Sequence, residues 1–120
     1  MTDPSLAKLL PLPPVWFHLL LALTNQERHG YALMQDVAAE SEGSIRLGPG
    51  TLYGALKRLL ALRLVEESGR RPDPEMDDQR RRYYRLTALG RRALAAEAAR
   101  HASLVQLAQT KRVLSRPRAV

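Results

Sequence analysis

Two short stretches of this 120-residue sequence combine positive charge with hydrogen-bond donors. One runs Gly50-Thr51-Leu52-Tyr53-Gly54-Ala55-Leu56-Lys57-Arg58; the other is Asp77-Asp78-Gln79-Arg80-Arg81-Arg82-Tyr83-Tyr84-Arg85-Leu86-Thr87. Guanidinium and ammonium groups set among hydroxyls and small residues suit the binding of a phosphate backbone. Neither stretch pairs a nucleophile with a base. No serine sits in a nucleophile-elbow pattern, no glycine loop precedes a lysine in P-loop fashion, and His18, His29 and His101 are too far apart for a HExxH arrangement. An enzyme, a metal site and a cofactor are therefore not expected.

The bulk composition points the same way. Nineteen Lys and Arg against twelve Asp and Glu leave a formal charge of +7, which calls for a polyanionic partner. Apolar content of 45% and charged content of 26% are globular values. The 5% aromatic content argues against an aromatic-lined sugar or nucleobase platform. With no cysteine there is neither a disulfide framework nor a thiolate site, and a reducing cytoplasm is the expected location. The apolar run from Val15 to Leu23 is far shorter than the roughly 20 residues a membrane span needs, so no membrane partner is expected.

Those residues need a scaffold, and periodicity supplies one. Pro13 and Pro14 open a first helix to about Thr24, apolar nearly all round. A second, from Tyr31 to Glu40, places Tyr31, Met34, Val37 and Ala38 on one stripe. Ser44-Ile45-Arg46-Leu47 reads as a small strand. The third helix starts at Gly48-Pro49-Gly50-Thr51 and runs to about Leu62. At about 100° per residue it turns Leu52, Leu56 and Leu59 inward and Thr51, Gly54, Lys57, Arg58 and Ala61 outward, with Tyr53 on the flank. Leu64 to Ser68 and the arginine-rich segment then form a β-hairpin, Tyr84 and Leu86 facing in, Arg81, Tyr83 and Arg85 facing out.

Thr87 is a suitable N-cap for a final helix reaching about Leu114. At about 26 residues it would span some 40 Å, beyond the roughly 35 Å diameter of a compact domain of this length. Its stripe of Leu94, Ala98, Val105 and Ala108, flanked by Leu104 and Leu107, therefore needs a partner, and a second copy of the same helix is the simplest. His101 is expected at that seam or in solvent.

The expected fold is thus mainly α with a small β-hairpin: a winged helix-turn-helix plus a long C-terminal dimerisation helix. Residues 1–12 are expected to be a flexible arm, 13–87 the DNA-binding domain, 88–115 the dimerisation helix and 116–120 a flexible tail. A recognition helix entering the major groove needs small residues for close approach, here Gly54 and Ala61, and donors for base edges and phosphates, here Thr51, Lys57 and Arg58. The amides at Gly50 and Thr51 offer a positive helix end to phosphate. Arg70, Arg71, Arg80, Arg81 and Tyr83 of the hairpin would meet the adjacent backbone or minor groove. Tyr53 is read as a phosphate donor, the alternative being a core-edge tyrosine, and Arg82 as a DNA contact or the partner of a carboxylate.

His29-Gly30-Tyr31, Gly48-Pro49-Gly50-Thr51-Leu52-Tyr53, Leu59, Leu64-Val65 and Arg82-Tyr83-Tyr84-Arg85-Leu86-Thr87 with Gly90, in this order and spacing, resemble the PadR family of transcriptional regulators. The resemblance covers about Val15 to Leu94 and places the chain with members that carry a single C-terminal helix. It implies a homodimer on a double-stranded DNA operator, paired through the C-terminal and first helices and usually repressing nearby genes. It also implies, for some members, release by phenolic acids or hydrophobic drugs held near the dimer interface. Here Val15, Trp16 and Leu19, with Leu94, Ala98, His101, Leu104, Val105, Leu107 and Ala108, would form that interface and any site for a hydrophobic or aromatic effector. The alternative is a winged helix whose basic face binds an acidic protein. Such a face would carry apolar anchors where this one has Gly54, Lys57 and Arg58.

Overall fold

The computed structural model of the chain describes residues 4–69 and 82–115. Among the described residues five helices and three strands follow one another as α1 (Pro4–Ala7), α2 (Pro14–Ala22), β1 (Arg28–His29), α3 (Gly30–Glu40), α4 (Pro49–Ala61), β2 (Val65–Glu67), β3 (Tyr83–Leu86) and α5 (Ala88–Thr110). Pro14 and Pro49 each occupy the first helical turn, where the missing N–H costs no hydrogen bond. Leu52, Ala55, Leu56 and Leu59 of α4 are buried against Leu19, Leu20 and Leu23 around α2 and Leu33 and Val37 of α3, so the leucine face expected of the third helix is the core face.

The sheet has three strands rather than a bare hairpin. β3 is central, pairing antiparallel with β2 (Val65 opposite Leu86, Glu67 opposite Tyr84) and with β1 (Arg28 opposite Tyr84, His29 opposite Tyr83). Tyr84 and Leu86 point into the core, as their alternation requires. Both edges of β3 are thereby occupied, and Ser44–Leu47, expected as a strand, joins no ladder. It is a loop in which the Ser41 hydroxyl accepts the Ile45 N–H at 2.9 Å.

In α3 the buried residues are Gly30, Ala32, Leu33 and Val37, and Tyr31 is 53% exposed, so the expected stripe is rotated. Gly30 lies at the contact with α4: a Cβ there would lie 2.5 Å from the Tyr53 hydroxyl, so a larger residue would displace the phenol.

Residues 4–12 of the expected flexible N-terminal arm are instead packed against the domain. Leu6 and Leu12 are buried in the core, and the Leu12 N–H donates to Glu97 Oε2 at 3.1 Å. Two leucines removed from water and a bond from a main-chain N–H to a carboxylate 85 positions away anchor the segment.

The Thr87 hydroxyl accepts the Gly90 N–H at 2.9 Å and donates to the Arg63 carbonyl at 2.6 Å, so the cap of α5 also ties it to the end of α4. Gly90 lies directly against the Leu64 carbonyl, and an added methyl would collide with that backbone atom. Gly90→Ala is therefore expected to destabilise by about 1–3 kcal/mol, as overpacking does. A denaturant melt matching the parent protein would contradict this.

α5 ends at Thr110, short of the expected Leu114. Arg112 adopts a left-handed φ of 62°, and the Val113 N–H turns back to the Ala108 carbonyl at 2.9 Å. This is a Schellman closure. Even so the helix projects: the molecule measures 54 × 33 × 28 Å, with a radius of gyration of 16.2 Å.

Candidate nucleic-acid interface

Helix α4 presents Gly50, Thr51, Gly54, Lys57, Arg58 and Ala61 to solvent, all of them exposed. A Cβ placed on Gly50 or Gly54 would meet nothing within 4 Å. Neither position has a positive φ. Nothing inside the described protein requires glycine there, although glycine in a helix interior costs about 1 kcal/mol relative to alanine. The bare ridge is therefore available to something that approaches from outside.

Charge on this ridge is uncompensated. Among the described residues neither Lys57 nor Arg58 makes an ion pair, whereas the cations near the sheet do. Arg85 Nε donates to Glu66 Oε1 at 3.0 Å, and Arg82 lies 3.6 Å from Glu67 Oε1. Arg82 thus takes the carboxylate alternative. Arg70, Arg71, Arg80 and Arg81, expected as wing contacts, lie outside the described residues.

Tyr53 and Tyr83 sit at the junction between helix and wing. Tyr53 is half-buried against Gly30, so its ring is partly committed to the fold while its hydroxyl stands beside the start of α3. Tyr83 is half-buried with its ring edge-on to His29 at 5.3 Å. His29 Nδ1 accepts the Ala32 N–H at 3.1 Å and caps α3. Burial, helped by the neighbouring Arg28, lowers the pKa of His29 below the ordinary histidine value, which keeps Nδ1 free to accept. Arg28 in turn holds Asp36 through two hydrogen bonds of 2.8 and 2.9 Å. The sequence marks His29 and Gly30 but gives no sign that two residues of strand, a cap and a bidentate pair position the whole corner.

The residues expected at a dimer interface divide. Leu19 and Leu94 are buried within their own chain and are corrected to core residues: one packs between α2 and the helices around it, the other beneath the start of α5. Val15 and Trp16 are half-buried against the same core. Ala98, His101, Leu104, Val105 and Leu107 are exposed and Ala108 is half-buried. The unpartnered apolar stretch thus begins after His101.

Glu97 itself carried no sequence signal, because a glutamate on a long helix is usually solvated. Here it is fully buried. Arg100 donates to both carboxylate oxygens at 2.6 and 3.1 Å, Leu12 donates its N–H, and His101 Nε2 lies 3.3 Å away. Arg100 above all, outweighing the opposing effect of burial and seconded by His101, holds the carboxyl below the usual glutamate range. The His101 ring also packs on Phe17 at 4.7 Å.

A helical pair whose second helix lies bare and cationic on the surface, backed by a small sheet, is a winged helix-turn-helix of the DNA-binding class. The chain belongs to the PadR-like family of transcriptional regulators, whose description matches residues 19–96. It is accordingly a DNA-binding transcription regulator and not an enzyme. It is 37% identical over 83 residues to a transcriptional regulator of Mycobacterium tuberculosis, covering 69% of this chain and 71% of that one. It is also 42% identical over 80 residues to an uncharacterised 37.1 kDa transposon protein of Streptomyces fradiae, which takes in 67% of this chain. That stretch is only 21% of the transposon protein's length. In fold it resembles a PadR-like transcription factor from Bacteroides fragilis, with a TM-score of 0.67 at 22% identity over 80% of this chain and 87% of the other. A PadR-family regulator from Clostridium difficile gives 0.66 at 20% identity over 82% and 97%. Among the described residues no helix is long and apolar enough to cross a membrane, and no cluster of His, Asp and Glu could hold a metal ion.

Proposed function

We propose that the protein is a cytoplasmic repressor that binds a two-fold DNA operator as a homodimer. Residues 13–87 act as the DNA-reading unit and 88–115 as the dimerisation helix. The observation that carries this reading is the open, unpaired outer face of α4: glycines with no internal reason beside cations with no described carboxylate. The exposed apolar residues of α5 support the dimer. The half-buried Trp16 and Val15 support a place, where α2 meets the partner's α5, for a hydrophobic or aromatic effector to enter and change the angle between the two reading heads.

A mobility shift on DNA upstream of the protein's own gene tests the reading. Lys57→Ala or Arg58→Ala should each cost about 1–3 kcal/mol of specific binding where the side chain contacts a base edge. Arg81→Ala should weaken all sequences alike and reduce the salt slope by about one unit for each phosphate that the arginine neutralises in the parent protein. Wing and helix variants that alter sequence preference equally would refute the division. Failure of the wild type to shift any duplex would favour an acidic protein as the partner of the basic face. Trp16 fluorescence, followed while phenolic compounds and hydrophobic cations are titrated, tests the effector. No change in either fluorescence or operator binding would leave a repressor controlled by its own abundance.

A further inference from the structure

We infer that Tyr31 is a DNA-backbone contact, a neutral hydroxyl donor gripping the phosphates that run between the recognition helix and the wing. The inference rests on the DNA-binding reading and adds to it a residue that periodicity had placed on an inward stripe. Tyr31 is an anomaly of packing. It is a large aromatic residue in the first turn of α3, and it stands 53% exposed while its neighbours Gly30, Ala32 and Leu33 are buried. The core of the described protein does not use it.

Its position is set by two contacts that flank it. On one side, Gly30 abuts the Tyr53 hydroxyl of α4. Consecutive Cα atoms are about 3.8 Å apart, so Tyr31 and the contact between Gly30 and Tyr53 lie at the same end of α3. On the other side, His29 pairs with Tyr83 of β3 in the sheet and touches its ring. Residues 29 to 31 therefore join the reading helix to the wing. In a helix-turn-helix the helix before the recognition helix crosses the nucleic-acid backbone, and the corner described here is where α3 would do so.

The charge at this corner explains why a phenol is suitable. Arg28 is engaged with Asp36 along one edge, through Nε and Nη2, and Arg85 is engaged with Glu66. The sheet side of the corner therefore holds its cations in internal pairs, while the free cations Lys57 and Arg58 lie further along α4. A hydroxyl can donate to a phosphate oxygen without displacing a condensed counterion, and the ring can lie on the adjoining sugar. This contact differs measurably from an arginine contact: it adds affinity to every sequence and nothing to the salt slope.

The test uses the full-length protein, with two duplexes of equal length as probes: the upstream region of its own gene and an unrelated sequence, at low salt. Tyr31→Phe should weaken binding to both by the same factor, about ten- to a hundredfold for each hydrogen bond to a charged oxygen. The slope of log affinity against log salt and the thermal unfolding midpoint should stay as in the wild type. Tyr31→Ala, which removes the ring as well, should weaken binding further. Undiminished binding by the Phe variant overturns the inference whatever the Ala variant does. So does a loss confined to one sequence, which would mean base reading, or a loss that follows a lowered unfolding midpoint, which would assign Tyr31 to the fold. If the wild type binds neither duplex, the DNA reading itself fails and the inference falls with it.

Discussion

Replacing Leu104 and Leu107 together by glutamate is expected to give monomers in sedimentation and to abolish tight operator binding in the same variant. Leu104, Val105 and Leu107 are 50%, 46% and 48% exposed in the isolated chain, on a helix that runs out beyond the packed domain. Each leucine fully buried on association contributes about 1.5–3 kcal/mol, and a glutamate in its place would bring an unpaired carboxylate into the seam. A two-fold operator requires recognition helices about 34 Å apart, which one α4 cannot provide. Operator affinity should therefore fall by on the order of 1,000-fold, towards the non-specific level. The fold should survive, since both residues are exposed, and an unchanged unfolding midpoint of the monomer would show it. A wild type already monomeric at micromolar concentration would dispose of the dimer.

Glu97→Ala is expected to cost on the order of 2–4 kcal/mol, the largest loss of stability among single substitutions proposed for this chain. It empties a buried site, strands the Leu12 N–H and releases Arg100 and His101. Much of Arg100 is hydrated, so its lost pairing adds little by comparison, and the unsatisfied amide and the cavity dominate. Hydrogen exchange at the Leu12 amide should accelerate as the N-terminal segment loosens. The pH dependence has a definite sign. A carboxyl held below its ordinary value contributes stability that is complete above about pH 4.3 and disappears as pH falls through its own lower value. Glu97→Gln should accordingly lose less stability on acidification than the wild type. Parallel acid titrations of the two proteins, or an Ala variant with an unchanged urea midpoint, would refute the role assigned to Glu97.

The outer face of α4 was fully legible in the sequence. Leu52, Leu56 and Leu59 recur at helical spacing, and the residues left over, Thr51, Gly54, Lys57 and Arg58, had no other side to occupy. The inward pair Tyr84 and Leu86 followed from alternation in the same way. β1 was not legible, because two residues cannot show a period; Arg28 and His29 become a strand only when β3 offers an edge. Ser44–Leu47 has the opposite history, strand-like residues that join no ladder. The early end of α5 was hidden because Arg112, and not a glycine, takes the left-handed position that closes it; Glu42 and Arg63 do the same after α3 and α4.

Local period, charge and turn chemistry thus determined by themselves which helix would face outward and what it would carry, since those properties depend on neighbours within a few residues. Tertiary structure alone decided which apolar side chains remain unpartnered. Leu94 and Leu107 share the same helix and the same residue type, yet one is buried and the other half-exposed, because the N-terminal segment, α2 and the sheet cover only the first turns of α5. It decided equally that Glu97 is buried and Tyr31 is not. Burial of a single side chain depends on what a distant segment places over it, here a leucine amide 85 positions away and a glycine shaped to a tyrosine on another helix.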